Sequence, residues 1–199
     1  MADVVVVTGP PGSGKSAVAA ALADLLDPSA LLEADWFFGR WRRGAVDPWL
    51  PEAAPQTVPA GRAALAATVE LARSDAWVVY DGVLHRDATR DLAARAAGAG
   101  VAVHRAVLLP PVDVCLARVA ARTGHGFDDP GATRDMHAAF AAEADGADDD
   151  GAADGGSADG TVLRDAGASP DDLAARVRDL LHARALRVPG PVPTGGARP

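Results

Sequence analysis

Of the 19 lysine and arginine side chains in this sequence only one is a lysine, Lys15, and it lies in the run Gly9-Pro10-Pro11-Gly12-Ser13-Gly14-Lys15-Ser16. An ammonium on a slim stem is a compact point charge, whereas a guanidinium is a broad planar fork. A lysine kept at one site beside three glycines suits phosphate oxygens. Glycine lets the chain curl until successive backbone N–H groups point at an anion, and a helix opening at Lys15 turns its positive end to the same place. The spacing G-x-x-x-x-G-K-[ST], preceded by an apolar run and followed by a helical one, is the context that marks a nucleotide phosphate loop. The residues of this run, together with Ala17, are therefore the expected ATP-binding set. Lys15 is expected on the β- and γ-phosphates and Ser16 on Mg2+.

Further polar residues fall where a phosphate chemistry would use them. Asp81 ends the apolar run Trp77-Val78-Val79-Tyr80 and is the second expected Mg2+ ligand. Its successor is Gly82, where ATP-hydrolysing modules carry a water-activating glutamate, so hydrolysis is disfavoured. Asp35 follows the apolar stretch Leu31-Leu32 and is the preferred general base for an attacking alcohol. Glu33 is its rival, because strand alternation would put both on one side. Trp36, Phe37, Phe38, Trp41 and Trp49 place five of the chain's nine aromatic residues within a short span, either as an acceptor lining or as a small satellite core. Trp36, Phe37, Arg40, Arg86 and Asp35 form the expected acceptor set, with His85 beside it. Arg118 and Arg122, four residues apart, occupy one helix face ahead of a glycine-containing segment, as lid arginines closing over a transferring phosphoryl group would.

These residues need a scaffold, and hydrophobic periodicity supplies alternating strands and helices. Strands are predicted over residues 4–8, 30–32, 77–80, within 101–109, and 161–163. Helices are predicted over 16–26, 62–73, 87–97, 113–122, 132–144 and 170–186, with an irregular stretch at 35–59. Strands separated by helices pair in parallel through right-handed crossovers, and ligands gather at their carboxyl ends. One domain over residues 1–187 is expected, with an acidic loop at about 145–159 and a Pro/Gly-rich tail at 188–199. The Asp148-Asp149-Asp150 run lacks the spacing of a calcium loop.

The composition narrows the classes further. A formal charge of -8 disfavours a nucleic-acid partner, and Arg40, Arg42 and Arg43 are the tight basic cluster. The single Cys115 excludes an internal disulfide. No leader or membrane span is evident, so a cytoplasmic protein acting on a small-molecule hydroxyl acceptor is expected.

Taken together, the loop from Gly9 to Ser16, the strand-end Asp35, the Asp81-Gly82 turn and the Arg118/Arg122 helix resemble the small P-loop kinases. These include adenylate, shikimate and gluconate kinases, chloramphenicol phosphotransferase and zeta-toxin relatives, and the chloramphenicol phosphotransferase-like branch is the most similar. The resemblance spans about residues 3–187. It implies a three-layer α/β P-loop fold, a five-stranded parallel sheet of order 2-3-1-4-5, a helical lid, and ATP with Mg2+. It further implies Asp35 as base and Gly167, in Asp165-Ala166-Gly167-Ala168, beside the adenine ring. The run Tyr80-Asp81-Gly82-Val83-Leu84-His85-Arg86 resembles the Asp-Gly-Phe-Pro-Arg stretch of adenylate kinases, but Val83 and Leu84 replace its Phe and Pro. These departures disfavour a nucleotide or polynucleotide acceptor, which stands as an alternative together with an ATPase or regulatory switch.

Overall fold

A computed structural model of the chain describes residues 3–122, 127–145 and 160–189. Strand β1 (Val4–Thr8) is a run of β-branched residues, and all five are buried. Val4 and Val6 face one core cluster while Val5 and Val7 face another, so the strand is covered on both sides, as parallel central strands are. Each such side chain withdrawn from water is worth about 1.5–3 kcal/mol.

Helix α1 (Lys15–Leu25) leads to β2 (Ser29–Glu33), a single turn α2 (Asp35–Phe38), and α3 (Ala54–Ala72). There follow β3 (Trp77–Asp81), α4 (Arg86–Ala97), β4 (Val103–Leu108), α5 (Val112–Ala120) and α6 (Pro130–Asp145). The chain then runs through β5 (Thr161–Leu163), α7 (Pro170–His182) and β6 (Arg187–Val188). The sheet order is β2-β3-β1-β4-β5, parallel throughout, as expected from the resemblance. Val4, Val6, Val78, Tyr80 and Val103 pack on α3 and α4, and Val5, Val7, Val79, Ala106 and Leu108 pack on α1 and α7. Phe140 of α6 packs with Val107 of β4 and with Leu109 just beyond it. This is the three-layer α/β body. Among the described residues no helix is long and apolar enough to cross a membrane.

Three expectations are corrected. The stretch 35–59 is not irregular throughout: it holds α2 and a 3-10 turn at Pro51–Ala53, and α3 starts at Ala54 rather than near residue 62. Pro59 lies inside α3, where proline normally stops a helix, but Pro55 and Pro59 are both exposed, so the carbonyl left without a donor is within reach of water. Helix α7 stops at His182 instead of running to 186, because the chain reverses through Arg184 at φ 58. That reversal buries Leu186 and sets Val188, expected as the first tail residue, opposite Val103 in an antiparallel sixth strand. A two-residue strand leaves no periodicity to read. The remaining tail, and the expected acidic loop beyond Asp145, lie outside the described residues.

The outer edge of β4 is thus shared, β6 along Val103 and His104 and β5 along Ala106 to Leu108. Gly160 enters at the junction with φ 104, and a Cβ there would stand 2.3 Å from the Arg105 carbonyl oxygen. Both the left-handed backbone and the missing side chain are needed for β5 to approach. Gly160→Ala is expected to cost about 2 kcal/mol or more, read as a lower urea midpoint; an unchanged midpoint would mean that this edge yields freely.

Candidate active site

The phosphate loop leaves β1 at Thr8 and enters α1 at Lys15. Pro10, Pro11, Gly12 and Ser13 are buried. Gly14 sits at the helix N-cap with φ 94, and no side chain caps that end. The first N–H groups of α1, those of Lys15, Ser16 and Ala17, are therefore left for an anion. Gly12 allows a second close approach: at φ 79, its absent Cβ would lie 2.3 Å from the Cys115 carbonyl oxygen, so α5 rests directly on the loop.

Lys15 is only 8% exposed. Burial pushes its ammonium down from its ordinary value, against the carboxylates of Asp81 and Asp35, which pull it up, while Arg122 adds repulsion. Asp81, at the carboxyl end of β3, is pushed up by burial and held back by a hydrogen bond from Ser16 and by the Lys15 charge. Lys15, Ser16, Asp35, Asp81 and Arg122 thus share one electrostatic neighbourhood. Glu33 pairs in register with Asp81 and raises its pKa, but only Asp35 of the two carboxylates acts appreciably on Lys15. The expected alternation of Glu33 and Asp35 does not apply, since β2 ends at Glu33 and Asp35 opens α2. Ala34 N–H donates to the Asp81 carbonyl at 2.8 Å and sets where α2 begins.

Two atoms show what fits here. Ser13 Oγ and Asp81 Oδ1 are buried with no hydrogen-bond partner among the described residues. Buried polar groups are normally satisfied, so the pair marks places where a ligand belongs. No group of three or more His, Cys, Asp or Glu side chains among the described residues could hold a metal ion by itself. Ser16 with Asp81 nevertheless suits Mg2+, which commonly takes one or two protein oxygens and completes its shell with phosphate and water.

Arg118 and Arg122 are both brought to the loop, with different surroundings. The Arg118 guanidinium donates to the Gly12 and Ser13 carbonyls, each at 3.4 Å, and to the Ala166 carbonyl at 3.2 Å. It thereby ties the phosphate loop to the segment after β5. Arg122 is the one whose charge reaches Lys15. Beside them opens a pocket of about 350 Å³, walled by Ser13, Gly14, Arg118, Arg122, Ala168 and Leu173. Gly167 is exposed and its neighbour Ala168 forms the wall, because Asp165 Oδ1 accepts from the Gly167 and Ala168 N–H groups and turns the chain there. Of the expected lid, residues 123–126 lie outside the described residues; Phe127 follows them and meets Trp49 edge to face at 4.9 Å.

On the acceptor side the aromatic run divides. Phe37 and Phe38 pack against the core, so Phe37 does not present itself as an open lining residue. Trp36 remains 55% exposed, with the Arg40 guanidinium 4.6 Å from its ring centroid.

Arg86 is drawn elsewhere. Its backbone N–H donates to Glu143 Oε2 at 3.2 Å, and its guanidinium donates to the Glu143 main-chain carbonyl. Glu143 also holds His85 at 2.6 Å and the buried Arg105 at 2.7 Å. The His85 ring stacks on Phe140 at 4.5 Å. Leu84, next in the chain, exchanges hydrogen bonds with Thr8: its N–H donates to Thr8 Oγ1 at 2.8 Å and its carbonyl accepts from the same hydroxyl at 3.2 Å. This network connects α6 to the root of the phosphate loop. Neither Arg105 nor Glu143 stood out in the sequence; a lone charge inside the apolar stretch 101–109 was the available signal.

The fold and the loop define a nucleotide-binding P-loop protein of kinase-type sheet order. The profile of the AAA domain family matches residues 4–146, and the chain belongs to that family. Its fold is that of the small P-loop kinases. A sugar kinase from Janibacter sp. HTCC2649 superposes with a TM-score of 0.61 at 24% identity, covering 92% of this chain and 95% of that one. The tunicamycin resistance protein of Deinococcus radiodurans gives 0.61 at 20% identity over 95% and 99%. Shikimate kinase from Acinetobacter baumannii, in complex with shikimate, gives 0.58 at 17% identity over 92% and 95%. Comparison with curated proteins finds no match.

Removing one partner of a buried pair strands the other charge, so Glu143→Ala is expected to cost about 3 kcal/mol in equilibrium unfolding. Burial opposes ionisation of Glu143, yet hydrogen bonds from Arg105 and His85 hold its carboxyl below the ordinary 4.5. Its stabilisation is therefore present above that value and is lost as pH falls through the lower folded value. The parent's loss of stability on acidification below pH 4.5 should accordingly be shallower in Glu143→Gln; superimposable pH profiles would contradict the pairing.

Proposed function

We propose that the protein is a phosphotransferase that moves the γ-phosphoryl group of ATP to a hydroxyl of a small organic molecule. The observation that carries this reading is positional: Ala34 N–H donates to the Asp81 carbonyl at 2.8 Å, and Asp35 opens α2 immediately after it, a carboxylate outside the phosphate loop yet next to its acidic strand end. A base so placed stands beside the phosphate-binding charges, where an attacking alcohol would have to be deprotonated. Solved kinases of sugars and of shikimate share the fold, which supports a small acceptor.

In this reading each group has a role. Backbone N–H groups at the head of α1 and the Lys15 ammonium bind the phosphates, and their pre-organised charge favours the spread of negative charge over the moving group. Ser16 and Asp81 would hold Mg2+, which when bound withdraws charge from the phosphate oxygens. Arg118 orders the wall beside the pocket and Arg122 faces the phosphate side. Asp35 accepts the hydroxyl proton as the alcohol oxygen bonds to phosphorus. The bond to the bridging oxygen breaks, leaving ADP and a phosphate monoester.

The competing reading, an ATPase or nucleotide switch, draws on the AAA domain family membership. Gly82 in place of a glutamate after Asp81 weighs against it, because nothing at that position can activate water.

Incubation with γ-labelled ATP and a panel of hydroxyl compounds is expected to put label on a small molecule. Asp35→Asn should lower that transfer by about 100-fold or more while Mg-ATP affinity is kept. Lys15→Ala should abolish it in a protein with unchanged circular dichroism. Phosphate release without a labelled product, at a rate indifferent to Asp35→Asn, would favour the switch.

A further inference from the structure

The segment after β2 sorts its side chains in an instructive way. Phe37 and Phe38 turn into the core and anchor α2, while Trp36, Arg40, Trp41, Arg42 and Arg43 are exposed. A tryptophan 55% exposed beside a proposed base is a large apolar surface for which the core has no use. Its attitude is nonetheless controlled. Phe37 meets the indole edge to face at 5.2 Å and 79°, and Arg40 lies 4.6 Å from the ring centroid. The ring is thus braced from two directions, as a binding platform must be if it is not to lose affinity to ordering.

Charge gives the second half of the inference. The chain as a whole carries -8, and Glu33, Asp35 and Asp81 concentrate negative charge at this end of the sheet. An anionic compound approaching Asp35 would be repelled unless cations met it on the side away from the carboxylates. Arg40, Arg42 and Arg43 supply such cations, and among the described residues none of them has a carboxylate within ion-pair distance. A guanidinium stacked on an indole keeps its N–H edge free for an oxyanion. Asp35 and Trp36 both belong to the single turn α2 and are both exposed, so one small molecule can touch the two.

We propose that Trp36 and Arg40 form the recognition site for the acceptor, a hydroxyl compound with a flat apolar or aromatic body and an oxyanion a few ångströms from the reacting hydroxyl. The proposal rests on the phosphotransferase reading for the identity of the reacting group. The oxyanion is a carboxylate or a phosphate, and Arg40 binds either through the same paired N–H groups.

The test uses the full chain with Mg-ADP and matched probes: 4-hydroxybenzoate against 4-hydroxybenzamide for a carboxylate, and a nucleoside monophosphate against its nucleoside for a phosphate. Tryptophan fluorescence reads binding, and γ-labelled ATP reads transfer in parallel. The anionic member of at least one pair should bind about tenfold or more tightly than its neutral partner, as a charge-assisted hydrogen bond warrants. Arg40→Gln should erase that ratio, and Trp36→Ala should weaken both members, with circular dichroism unchanged in each variant. Equal binding of charged and neutral members, a ratio that survives Arg40→Gln, or no binding by either anion overturns the proposal. So does a 5′-hydroxyl oligonucleotide that outcompetes the mononucleotide, which would make the surface a polynucleotide platform. Label moving only to neutral alcohols would sink this inference and leave the phosphotransferase standing. Arg40-dependent anion binding with no label transferred to any acceptor would do the reverse.

Discussion

A buried ammonium is the constraint around which this molecule is arranged. Lys15 is withdrawn from water at the head of α1, and a lone charge in that position would be costly. Two carboxylates, Asp81 at the end of β3 and Asp35 at the head of α2, offset part of that cost. Because both lie at the carboxyl edge of the sheet, neutralising the lysine also assembles the groups a phosphoryl transfer uses. The balance is incomplete, and Ser13 Oγ and Asp81 Oδ1 are left buried without protein partners. In the proposed phosphotransferase a phosphate oxygen would accept from Ser13 Oγ and the metal or its water would satisfy Asp81.

Holding that arrangement requires the elements around it to be rigid. Helix α5 is seated on the loop through the gap at Gly12, and Arg118 stitches the loop to the turn after β5. On the other side Thr8 is locked to Leu84, and Glu143 gathers His85, Arg86 and Arg105 from two more elements. The segment following Asp81 is therefore tied to α6, the helix beyond the lid segment.

The acceptor side is built differently. It consists of a short turn and a long loop rather than strands. Gln56 bonds Val46 N–H at 3.0 Å and the Gly44 carbonyl at 2.6 Å, fastening that loop to α3. Trp49 reaches across to Phe127.

The linear chain already determined the phosphate loop, the strand-end Asp81 and the alternation of strands and helices, because each depends on local spacing and on side-chain period. Gly9 to Ser16 shape their own backbone, and Val4 to Val7 declare burial on both faces. The tertiary structure alone decided the rest. Whether Glu33 or Asp35 is felt by Lys15 depended on where β2 ends, and α3 could run through Pro59 only because its outer face is solvated. The strand β6 exists because β4 has an edge to lend it, and Arg86, at the head of α4, is tied to α6 because Glu143, 57 residues away, comes to it. Such outcomes are set by contacts between distant segments, whose free energy is absent until the chain has folded.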